Sequence, residues 1–584
     1  MLNIMPDRTL QKAPLVTQLA AAPQPPPPAA HSAASVITQF LISAVLVLAV
    51  LPIARRSLRI AAWYWLLVAG PIAGMLLAWL LPHASWFDVI VSTIFLPILA
   101  LHLRPKRRDS PYLSGARWAD SDDLRPHQIP AWPAPSASIG AGVSWTTGRT
   151  RDFTPTAYGV AASDEGRHTL LVVPTGLGKG LWTVAQLLTW NGGAIVNDLK
   201  GDTYPQTAGW RQTIGPVYVL SAAAPVHRFD PTAAIDTEDD LRPLAHAICH
   251  DPEDRDPYWA QYASRILLVL MLAAKQSRQP VFRFVAQAVR SGAPRALALV
   301  SDIDAALADR IRPQDDSRTF ASAWETLATR CESILSPNAL ATLSGTDFTA
   351  AHLLRQRATL YLQVPEARLG DLRPFLRLIW TSLIMQLVTA TDRAGTTDRQ
   401  PLLLVLDEAG RTPFAGLPDF LVTLRSRRIS CAVLLQALSQ LRAAYGEHAG
   451  TILGNCSVHV YARSEDLATQ EYVSERLGLA EEILRTESST RGSHGRSVTH
   501  SQLRRFRPLL TPQQVRTLQD HQVIAFLPVC PPAALARMDW RGHPHLVQRA
   551  RLSPRTPAPL PVEAFLPSTS TEPRPAPAGY VDPD

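Results

Sequence analysis

Residues 170–180 read LLVVPTGLGKG, an apolar run followed by a glycine-rich turn and a lysine. The run Leu170–Val173 is typical of a buried strand in a parallel sheet. Gly176 and Gly178 let the backbone curl so that its N–H groups point at an anion, and Lys179 adds a positive charge for the β- and γ-phosphates. The stretch therefore predicts a phosphate loop that binds a nucleotide. The residues of this predicted loop are Pro174, Thr175, Gly176, Leu177, Gly178, Lys179, Gly180 and Leu181.

Two positions depart from the general phosphate-loop pattern G-x-x-x-x-G-K-[ST]. Val173 stands where the first glycine would be, and Gly180 replaces the Ser or Thr that normally binds Mg²⁺. Taken alone, the stretch also fits a glycine-rich turn between a strand and a helix that carries a surface lysine. Motifs elsewhere in the chain are needed to choose between these two interpretations.

A second motif, PLLLVLDEAG at residues 401–410, places two carboxylates after a buried strand. Ligands of parallel sheets bind beyond the carboxyl ends of the strands, where Asp407 and Glu408 would lie. Asp407 is expected to hold Mg²⁺ through water, and Glu408 to orient and deprotonate the water that attacks ATP. Acidic pairs at strand ends are common, but one that follows a phosphate loop in the same fold predicts an ATPase.

Polar residues around the next strand extend the candidate site. Gln436 ends the apolar run CAVLLQ, and its amide would either contact the γ-phosphate or the attacking water, or simply terminate the strand. Four arginines are candidates for an arginine finger that reaches the nucleotide of a neighbouring subunit, although a solvated charge cluster is the default interpretation. These candidates are Arg425, Arg427, Arg428 and Arg463.

From about residue 150, short apolar runs alternate with amphipathic stretches, a pattern typical of an α/β fold with a parallel-rich central sheet. Residues 235–345 differ, because their apolar residues have helical spacing and no strand alternation. We therefore predict a nucleotide-binding domain in two parts, residues 105–234 and 346–540, with an all-α domain inserted between them. The predicted strands are HTLLVV (168–173), GAIVND (193–198), PVYVLS (216–221), TLYLQV (359–364), LLLVLD (402–407), CAVLLQ (431–436), VHVYAR (458–463) and VIAFL (523–527).

Three apolar stretches precede this body, at residues 36–54, 60–81 and 87–103. Their lengths of 19, 22 and 17 residues bracket the roughly 20 that span a bilayer. Arginine and lysine residues lie between the first two stretches and after the third, so the positive-inside rule places the chain beyond residue 104 in the cytoplasm. We predict a membrane anchor at residues 36–104 with two or three helices, since the first stretch would either span the bilayer or lie on it.

The proline content and the net charge give two further predictions, which are less specific than those from the motifs. Proline concentrates at both ends of the chain and predicts disordered tails at residues 1–35 and 541–584. The net charge of +8 and the pI of about 9.4 favour a phosphate-rich partner, although basic residues near a membrane also serve topology and anionic lipid. No motif indicates sequence-specific reading of bases, so any binding of DNA is expected to be non-specific and sensitive to salt.

Several motifs occur in one order along the chain. They are PTGLGKG (174–180), NDLKGD (197–202), RFDP (228–231), LDEAG (406–410), QALSQLRAAYG (436–446) and ILGNCSVHVYARSEDLATQEYVSERLG (452–478). Together with LSGARWAD (113–120), which follows the predicted anchor, they resemble the type IV secretion coupling proteins, the TraG/TraD-like ATPases of conjugation and effector secretion. The resemblance covers roughly residues 105–530.

The resemblance implies a RecA-like nucleotide-binding domain that uses ATP and Mg²⁺, an all-α domain facing the cytoplasm, and an anchor in the bacterial inner membrane. It also implies a homohexamer that couples ATP hydrolysis to delivery of a relaxase–DNA complex or effector proteins into the channel of the secretion system. Lys179, Asp407, Glu408 and Gln436 fall on the nucleotide-handling positions of the family. The first apolar stretch is a departure, since two membrane helices are usual.

Two alternatives to this function remain at the level of the sequence. One is a HerA/FtsK-like DNA translocase, built on the same motor but without a secretion partner. The other is a receptor that docks its substrate to the channel without hydrolysing ATP, which the missing hydroxyl at Gly180 leaves open.

Overall fold

The computed structural model describes most of the chain that follows the predicted anchor. It covers residues 115–562 except 131, 133, 144–155, 162–165, 236, 252–253, 255, 313–316, 395–399, 414–415 and 493–494. The predicted membrane anchor at residues 36–104 and the predicted tail at residues 1–35 lie outside the described residues, as does the chain from residue 563 onward. The start of the other predicted tail, at residues 541–584, is described and is not disordered, because it contains the helix Pro544–Ala550, whose Leu546 packs into the core. Within the described residues, no helix combines the length and the apolar character that a membrane span requires.

A mixed sheet lies at the centre of the described part of the chain. The strands are β1 (Ser138–Val143), β2 (Ala157–Ala161), β3 (His168–Val172), β4 (Gly193–Asn197), β5 (Val217–Ser221), β6 (Thr359–Gln363), β7 (Leu402–Leu406), β8 (Ile429–Leu435), β9 (Cys456–Tyr461), β10 (Leu479–Gly492), β11 (Gly495–Pro508), β12 (Gln522–Phe526) and β13 (Ala533–Ala536). Eleven of them form one sheet in the order β2-β1-β13-β12-β9-β3-β8-β7-β4-β6-β5, and β10 pairs with β11 in a separate hairpin.

The sheet is mostly parallel, as predicted. The seven strands from β9 to β5 run parallel to one another, while β12, β13, β1 and β2 add an antiparallel edge beside β9. All eight predicted strands form, because strands buried on both faces require the continuous apolar runs that the sequence displays. The sequence did not reveal β1, β2 and β13, whose residues SIGAGV, AYGVA and AALA are small and carry no alternating pattern.

Helices cover both faces of the sheet. The helices are α1 (Ser121–Leu124), α2 (Lys179–Thr189), α3 (Thr203–Ile214), α4 (Glu238–Cys249), α5 (Pro257–Gln276), α6 (Val281–Ser291), α7 (Ala293–Ile303), α8 (Ala305–Asp309), α9 (Ser317–Cys331), α10 (Pro337–Leu343), α11 (Ala350–Arg355), α12 (Leu369–Ala394), α13 (Leu417–Ser426), α14 (Leu438–Tyr445), α15 (Ala449–Asn455), α16 (Leu467–Leu477), α17 (Pro512–Arg516) and α18 (Pro544–Ala550). Alternate residues of β3 divide between two cores. Leu170 and Val172 belong to the core that also contains the buried residues of α4, α5 and α12, whereas Leu171 belongs to the core that contains those of α2.

The stretch between β5 and β6 is helical, with the eight helices α4–α11 and no strand among its described residues. Its longest helix, α5, begins at Pro257, where the Asp256 side chain accepts the N–H of Tyr258 and so caps the helix. The helices run from Glu238 to Arg355, so helical structure continues beyond the predicted end of the insertion at residue 345. The boundaries 235–345 for a separate all-α domain stay a prediction.

Arg211 of α3 is fully buried and fastens this helix to the sheet. Its Nε donates to the Thr359 hydroxyl at 2.7 Å and one terminal nitrogen donates to the Trp190 carbonyl at 2.6 Å, while the other donates to the Gly192 carbonyl. Burial lowers the pKa of this guanidinium to about 10. The group therefore replaces its hydration shell with carbonyl and hydroxyl oxygens.

We expect Arg211→Ala to lower the free energy of unfolding by about 3–5 kcal/mol, because it strands these buried acceptors and leaves a cavity. Chemical denaturation followed by circular dichroism measures the change. Arg242→Ala is the matched control, since Arg242 is exposed on α4 and forms an ion pair with Glu238, and a change within about 0.5 kcal/mol is expected. Equal losses for the two variants would contradict the role of Arg211.

Candidate nucleotide-binding site

The predicted phosphate loop connects β3 to α2 at the carboxyl end of the parallel sheet. Gly176 and Gly178 have φ values of +83° and +102°, which residues with a Cβ atom rarely adopt. Gly178 is also the N-cap of α2, so the helix begins at Lys179. The N–H groups at this helix start and the glycine-rich turn before it form the arrangement that binds phosphate in nucleotide-binding proteins.

Four of the predicted site residues meet at this loop. The Lys179 ammonium lies 2.9 Å from an Asp407 carboxylate oxygen and also forms an ion pair with Glu408. The Gln436 amide donates to both carboxylate oxygens of Glu408, at 2.8 and 3.0 Å. Lys179 and Glu408 are almost fully covered, with side chains 10% and 3% exposed, whereas Asp407 is 21% exposed. The structure therefore gathers one cation, two carboxylates and an amide from three separate parts of the chain.

Burial and the lysine act on Asp407 in opposite directions. Burial raises the pKa of its carboxyl group and the neighbouring Lys179 ammonium lowers it, with burial the stronger influence. The ion pair thus offsets part of the cost of removing this carboxylate from water. A phosphate that approaches Lys179 has to compete with both acidic residues for the same ammonium.

Glu408 adopts an unusual backbone conformation for a residue with a side chain, with φ of +54°. Such a conformation costs about 1–3 kcal/mol and is found where the surroundings enforce it, often at functional sites. Here the Asn197 side-chain amide donates to the Asp407 carbonyl at 3.0 Å, and the Thr412 hydroxyl donates to the Glu408 carbonyl at 3.2 Å. Asn197 ends β4, next to β7, and holds the acidic pair in place.

The motif NDLKGD begins with this asparagine, and its next residue has a structural role. The Asp198 carboxylate accepts the N–H groups of Thr203 at 3.1 Å and Tyr204 at 3.0 Å at the start of α3. Burial raises the pKa of Asp198. Asp198 therefore orders the turn that leads from β4 into α3.

Arg537 supports the phosphate loop from the antiparallel edge of the sheet, a contact that no sequence motif indicates. It follows β13, and its guanidinium donates to the Leu177 carbonyl at 2.9 Å and to the Asp520 carbonyl at 3.1 Å. A Cβ atom at Gly178 would come within 3.0 Å of the Arg537 side chain, so this glycine allows the close approach. Arg537 belongs to the set of residues that shape the loop.

The candidate arginine fingers occupy two different edges of the sheet. Arg425, Arg427 and Arg428 precede the amino end of β8, opposite to the edge that carries Lys179, and Arg427 forms an ion pair with Asp392 at 2.8 Å. They do not join the Lys179 cluster of their own chain. Their role toward a neighbouring subunit stays a prediction.

Arg463 follows the carboxyl end of β9, which lies at the same edge as the phosphate loop. Its guanidinium forms an ion pair with Asp520 at 2.9 Å, and the carbonyl of Asp520 accepts from Arg537. Asp520 thus links Arg463 to the residue that supports the loop. A role of Arg463 in trans also stays a prediction.

The site offers oxygen donors that suit Mg²⁺. Magnesium in nucleotide sites is held by one or two carboxylates together with water and substrate phosphates, and Asp407 is the partly exposed carboxylate beside Lys179. Gly180 provides no hydroxyl, and a Cβ atom at this position would meet no other atom within 4 Å. Space for a ligand therefore exists at Gly180, and the residues present fit the ion.

Comparison with known proteins places the chain in a family. The family model described as "Type IV secretory system Conjugative DNA transfer" matches residues 117–551. The protein VirD4 of Rhizobium rhizogenes is 26% identical over 410 residues, which cover 64% of this chain and 59% of VirD4. A conjugal transfer protein TraG of Escherichia coli is 24% identical over 520 residues, covering 74% of this chain and 76% of TraG. The chain thus spans less than two thirds of the length of its VirD4 relative.

Solved structures share the fold. The plasmid coupling protein TrwB in complex with ADP and Mg²⁺ matches with a TM-score of 0.54 and 18% identity, over 73% of this chain and 94% of that one. TrwB in complex with the non-hydrolysable ATP analogue ADPNP matches with a TM-score of 0.55 and 18% identity, over 73% of this chain and 93% of that one. Identities this low establish the α/β fold with its mostly parallel sheet and nothing more.

The motifs and the family match point in the same direction. The matched span contains the phosphate loop, the Asp407–Glu408 pair and Gln436, and it extends over well more than half of the 584 residues. The resemblance inferred from the sequence is confirmed: the chain belongs to the type IV secretory system conjugative DNA transfer family of coupling proteins.

Proposed function

We propose that the chain is a membrane-anchored ATPase that recruits a DNA, nucleoprotein or protein substrate and drives it into a type IV secretion channel. One observation carries this proposal: in a chain of this family, the phosphate-loop lysine meets Asp407, Glu408 and Gln436 at the carboxyl end of the sheet. That set contains a phosphate-binding cation, a metal-binding carboxylate and a candidate base. It is the set that phosphoryl transfer to water requires.

ATP is the proposed nucleotide, since TrwB, whose fold this chain shares, was solved with ADP and Mg²⁺ and with an ATP analogue. The backbone N–H groups of residues 174–181 would hold its phosphates, and Lys179 would exchange its carboxylate partners for the β- and γ-phosphates. That exchange would release Asp407 and Glu408 for their own tasks. Nucleotide binding is thereby coupled to a rearrangement of charge inside the site.

Mg²⁺ would be held by Asp407, through water, and by the phosphates. When bound, the ion would neutralise the negative charge that develops on the phosphates. Glu408 would orient the attacking water and accept its proton at a carboxylate oxygen. Gln436 would keep the Glu408 carboxylate in position, as its two hydrogen bonds to that group already do.

We expect Gly180→Ser to lower the Mg²⁺ concentration needed for half-maximal ATP turnover by about fivefold, equivalent to roughly 1 kcal/mol. The open space around Gly180 accepts the side chain, and the new hydroxyl supplies the metal ligand that the loop lacks. Titration of ATPase activity with Mg²⁺ measures the change. Gly180→Ala makes the same backbone change without a hydroxyl, so an equal shift in both variants would contradict a metal-binding role.

The assembly and location follow from the same proposal. Residues 36–104 would anchor the protein in the bacterial inner membrane with its main body in the cytoplasm. The partners would be components of the secretion channel and a relaxase–DNA complex or effector proteins. A homohexamer would bring a candidate arginine finger of one subunit to the nucleotide of its neighbour.

A transfer assay with tagged DNA and, in parallel, tagged protein cargo tests the proposal. Donor cells carrying the wild-type chain should transfer at least one cargo, and Glu408→Gln should abolish that transfer while the protein is still produced at the same level. The cargo that the wild type transfers and Glu408→Gln does not, whether DNA or protein, identifies the substrate class. Undiminished transfer by Glu408→Gln would contradict an ATP-driven step and favour a docking receptor.

A further inference from the structure

The hairpin of β10 and β11, residues 479–508, stands apart from the main sheet. Each strand has 14 residues, so the hairpin is about 45 Å long at 3.3–3.4 Å per residue. At its base the Leu479 carbonyl accepts the N–H of Ala116, and the Gly478 carbonyl accepts the N–H of Leu509. A two-stranded hairpin has little stability of its own in water, so an element of this length is expected to have a binding partner.

The last 21 residues of the hairpin are rich in basic and hydroxyl side chains. Residues 488–508 contain five arginines, two histidines and seven Ser or Thr residues, and no Asp or Glu. Arginine accounts for five of these 21 residues, whereas Lys and Arg together account for 57 of the 584 in the whole chain, so positive charge is concentrated here and no acid offsets it. Guanidinium groups and hydroxyls are the side chains that contact phosphates in nucleic acids. The pattern complements a polyanion.

The arginines near the base are exposed and only loosely paired. The side chains of Arg504 and Arg507 are 75% and 55% exposed, and Arg505 is exposed as well. Arg504 lies 3.5 Å from Glu481 across the ladder, and Arg507 lies 3.6 Å from Glu482. Both separations exceed a normal hydrogen bond, so the guanidinium N–H groups are available to another acceptor.

An exposed aromatic ring lies among these arginines. Phe506 is 54% exposed and sits between Arg505 and Arg507 in β11. Residues two apart in a strand lie on the same face, so Phe506 shares its face with Arg504. An exposed ring beside a guanidinium can stack on an unpaired base while the arginine contacts the backbone. Bases in a duplex present no free face, so this pair of residues favours a single strand.

We infer that the hairpin is an arm that binds single-stranded nucleic acid without sequence preference. Arg504, on the face of Phe506, and Arg505 and Arg507, on the opposite face of the two-stranded ribbon, contact phosphates, and Phe506 stacks on a base. The inference rests on the proposed function and deepens it, because it assigns the contact with the DNA cargo to one element of the fold. An anionic membrane surface is the competing partner, since Leu503 and Ile483 are also exposed, at 63% and 49%.

Fluorescence anisotropy with the full-length protein tests the inference, using a labelled 30-nucleotide single strand of mixed sequence and the corresponding duplex. The variant Arg504→Gln/Arg505→Gln/Arg507→Gln should bind the single strand at least about tenfold more weakly at 0.1 M salt, and its slope of log K against log salt should fall by about 2. Phe506→Ala should weaken single-strand binding about tenfold and change duplex binding less than about twofold.

The matched control replaces three exposed arginines of the helical region, as Arg242→Gln/Arg295→Gln/Arg312→Gln, and should change DNA binding less than about twofold. Thermal unfolding and ATP binding establish that every variant is folded. Unchanged DNA affinity in the hairpin triple variant would overturn the inference. It would also be overturned if this variant bound DNA like the wild type but no longer bound phosphatidylglycerol vesicles, since the partner would then be the membrane surface. If the wild-type protein had no affinity for DNA, both this inference and DNA as the proposed cargo would be wrong. ATP turnover should be unchanged in the hairpin variants, so this inference can fail without affecting the ATPase proposal.

Discussion

Lys179→Ala is expected to reduce ATP turnover by about 10²–10³-fold and to abolish substrate transfer. In the proposed function the ammonium is the cation that the phosphate loop presents to the transferring phosphoryl group, and loss of one such preorganised charge typically has an effect of this size. Phosphate release by the purified protein measures the turnover, and Arg242→Ala serves as a control for loss of a cation elsewhere. Transfer at the wild-type rate would favour the docking receptor over the ATPase.

The same substitution is expected to lower the stability of the fold. It leaves the buried Glu408 and the partly exposed Asp407 without their cation, and removal of one partner from a buried pair costs about 3–5 kcal/mol. Burial already raises the pKa of Asp407, and the lysine that lowers it would be gone. The folded variant would then hold a proton that the unfolded chain releases near pH 4, so its stability should fall as the pH rises above that value.

A double variant separates the two consequences of removing the lysine. Lys179→Ala/Glu408→Gln carries one buried charge fewer, so it should recover part of the lost stability at pH 7 but none of the ATP turnover. Urea denaturation at pH 5 and pH 8 gives the comparison. Since Glu408→Gln by itself removes the proposed base, ATP binding is the readout that decides: if stability and ATP binding recovered together, the lysine would act on the fold rather than on the phosphate.

The parts of this structure that the sequence predicted are those with a local signal. LLLVL at residues 402–406 is continuously apolar because β7 is buried on both faces, and β3, β4 and β8 are buried along their whole length as well. Lys179 and Asp407 could be placed together because loops after parallel strands emerge at one edge of the sheet. The fold and the candidate nucleotide-binding cluster could therefore both be predicted from short stretches of sequence.

The parts that the sequence did not predict depend on contacts between distant residues. Asn197 reaches the Asp407 carbonyl across 210 positions, and Arg537 reaches the Leu177 carbonyl across 360. Neither contact belongs to a motif with fixed spacing. The positive φ of Glu408 was equally hidden, because a glutamate is not a residue that signals this conformation. The sequence did not predict the long hairpin, because its strands are polar and exposed and pair only with each other, so they lack the apolar run that marks a buried strand.

Glu408→Gln is expected to bind ATP with wild-type affinity and to hydrolyse it about 10²–10⁴-fold more slowly, the range found when a general base is removed. The glutamine has almost the same shape, and Lys179 keeps Asp407 as its partner, so the buried charges stay balanced. Stability should therefore change far less than in Lys179→Ala. Equilibrium binding of a fluorescent ATP analogue and single-turnover hydrolysis separate the two steps.

The control for this variant is another carboxylate at the same edge of the sheet. Glu366 follows β6, is 47% exposed and forms an ion pair with Arg411 at 2.6 Å, so Glu366→Gln should leave hydrolysis within about twofold of wild type. If Glu408→Gln retained more than about a tenth of wild-type hydrolysis, water would be activated without this carboxylate. The strained backbone at Glu408 would then serve the phosphate loop instead, by holding the partner that Lys179 releases when a nucleotide binds.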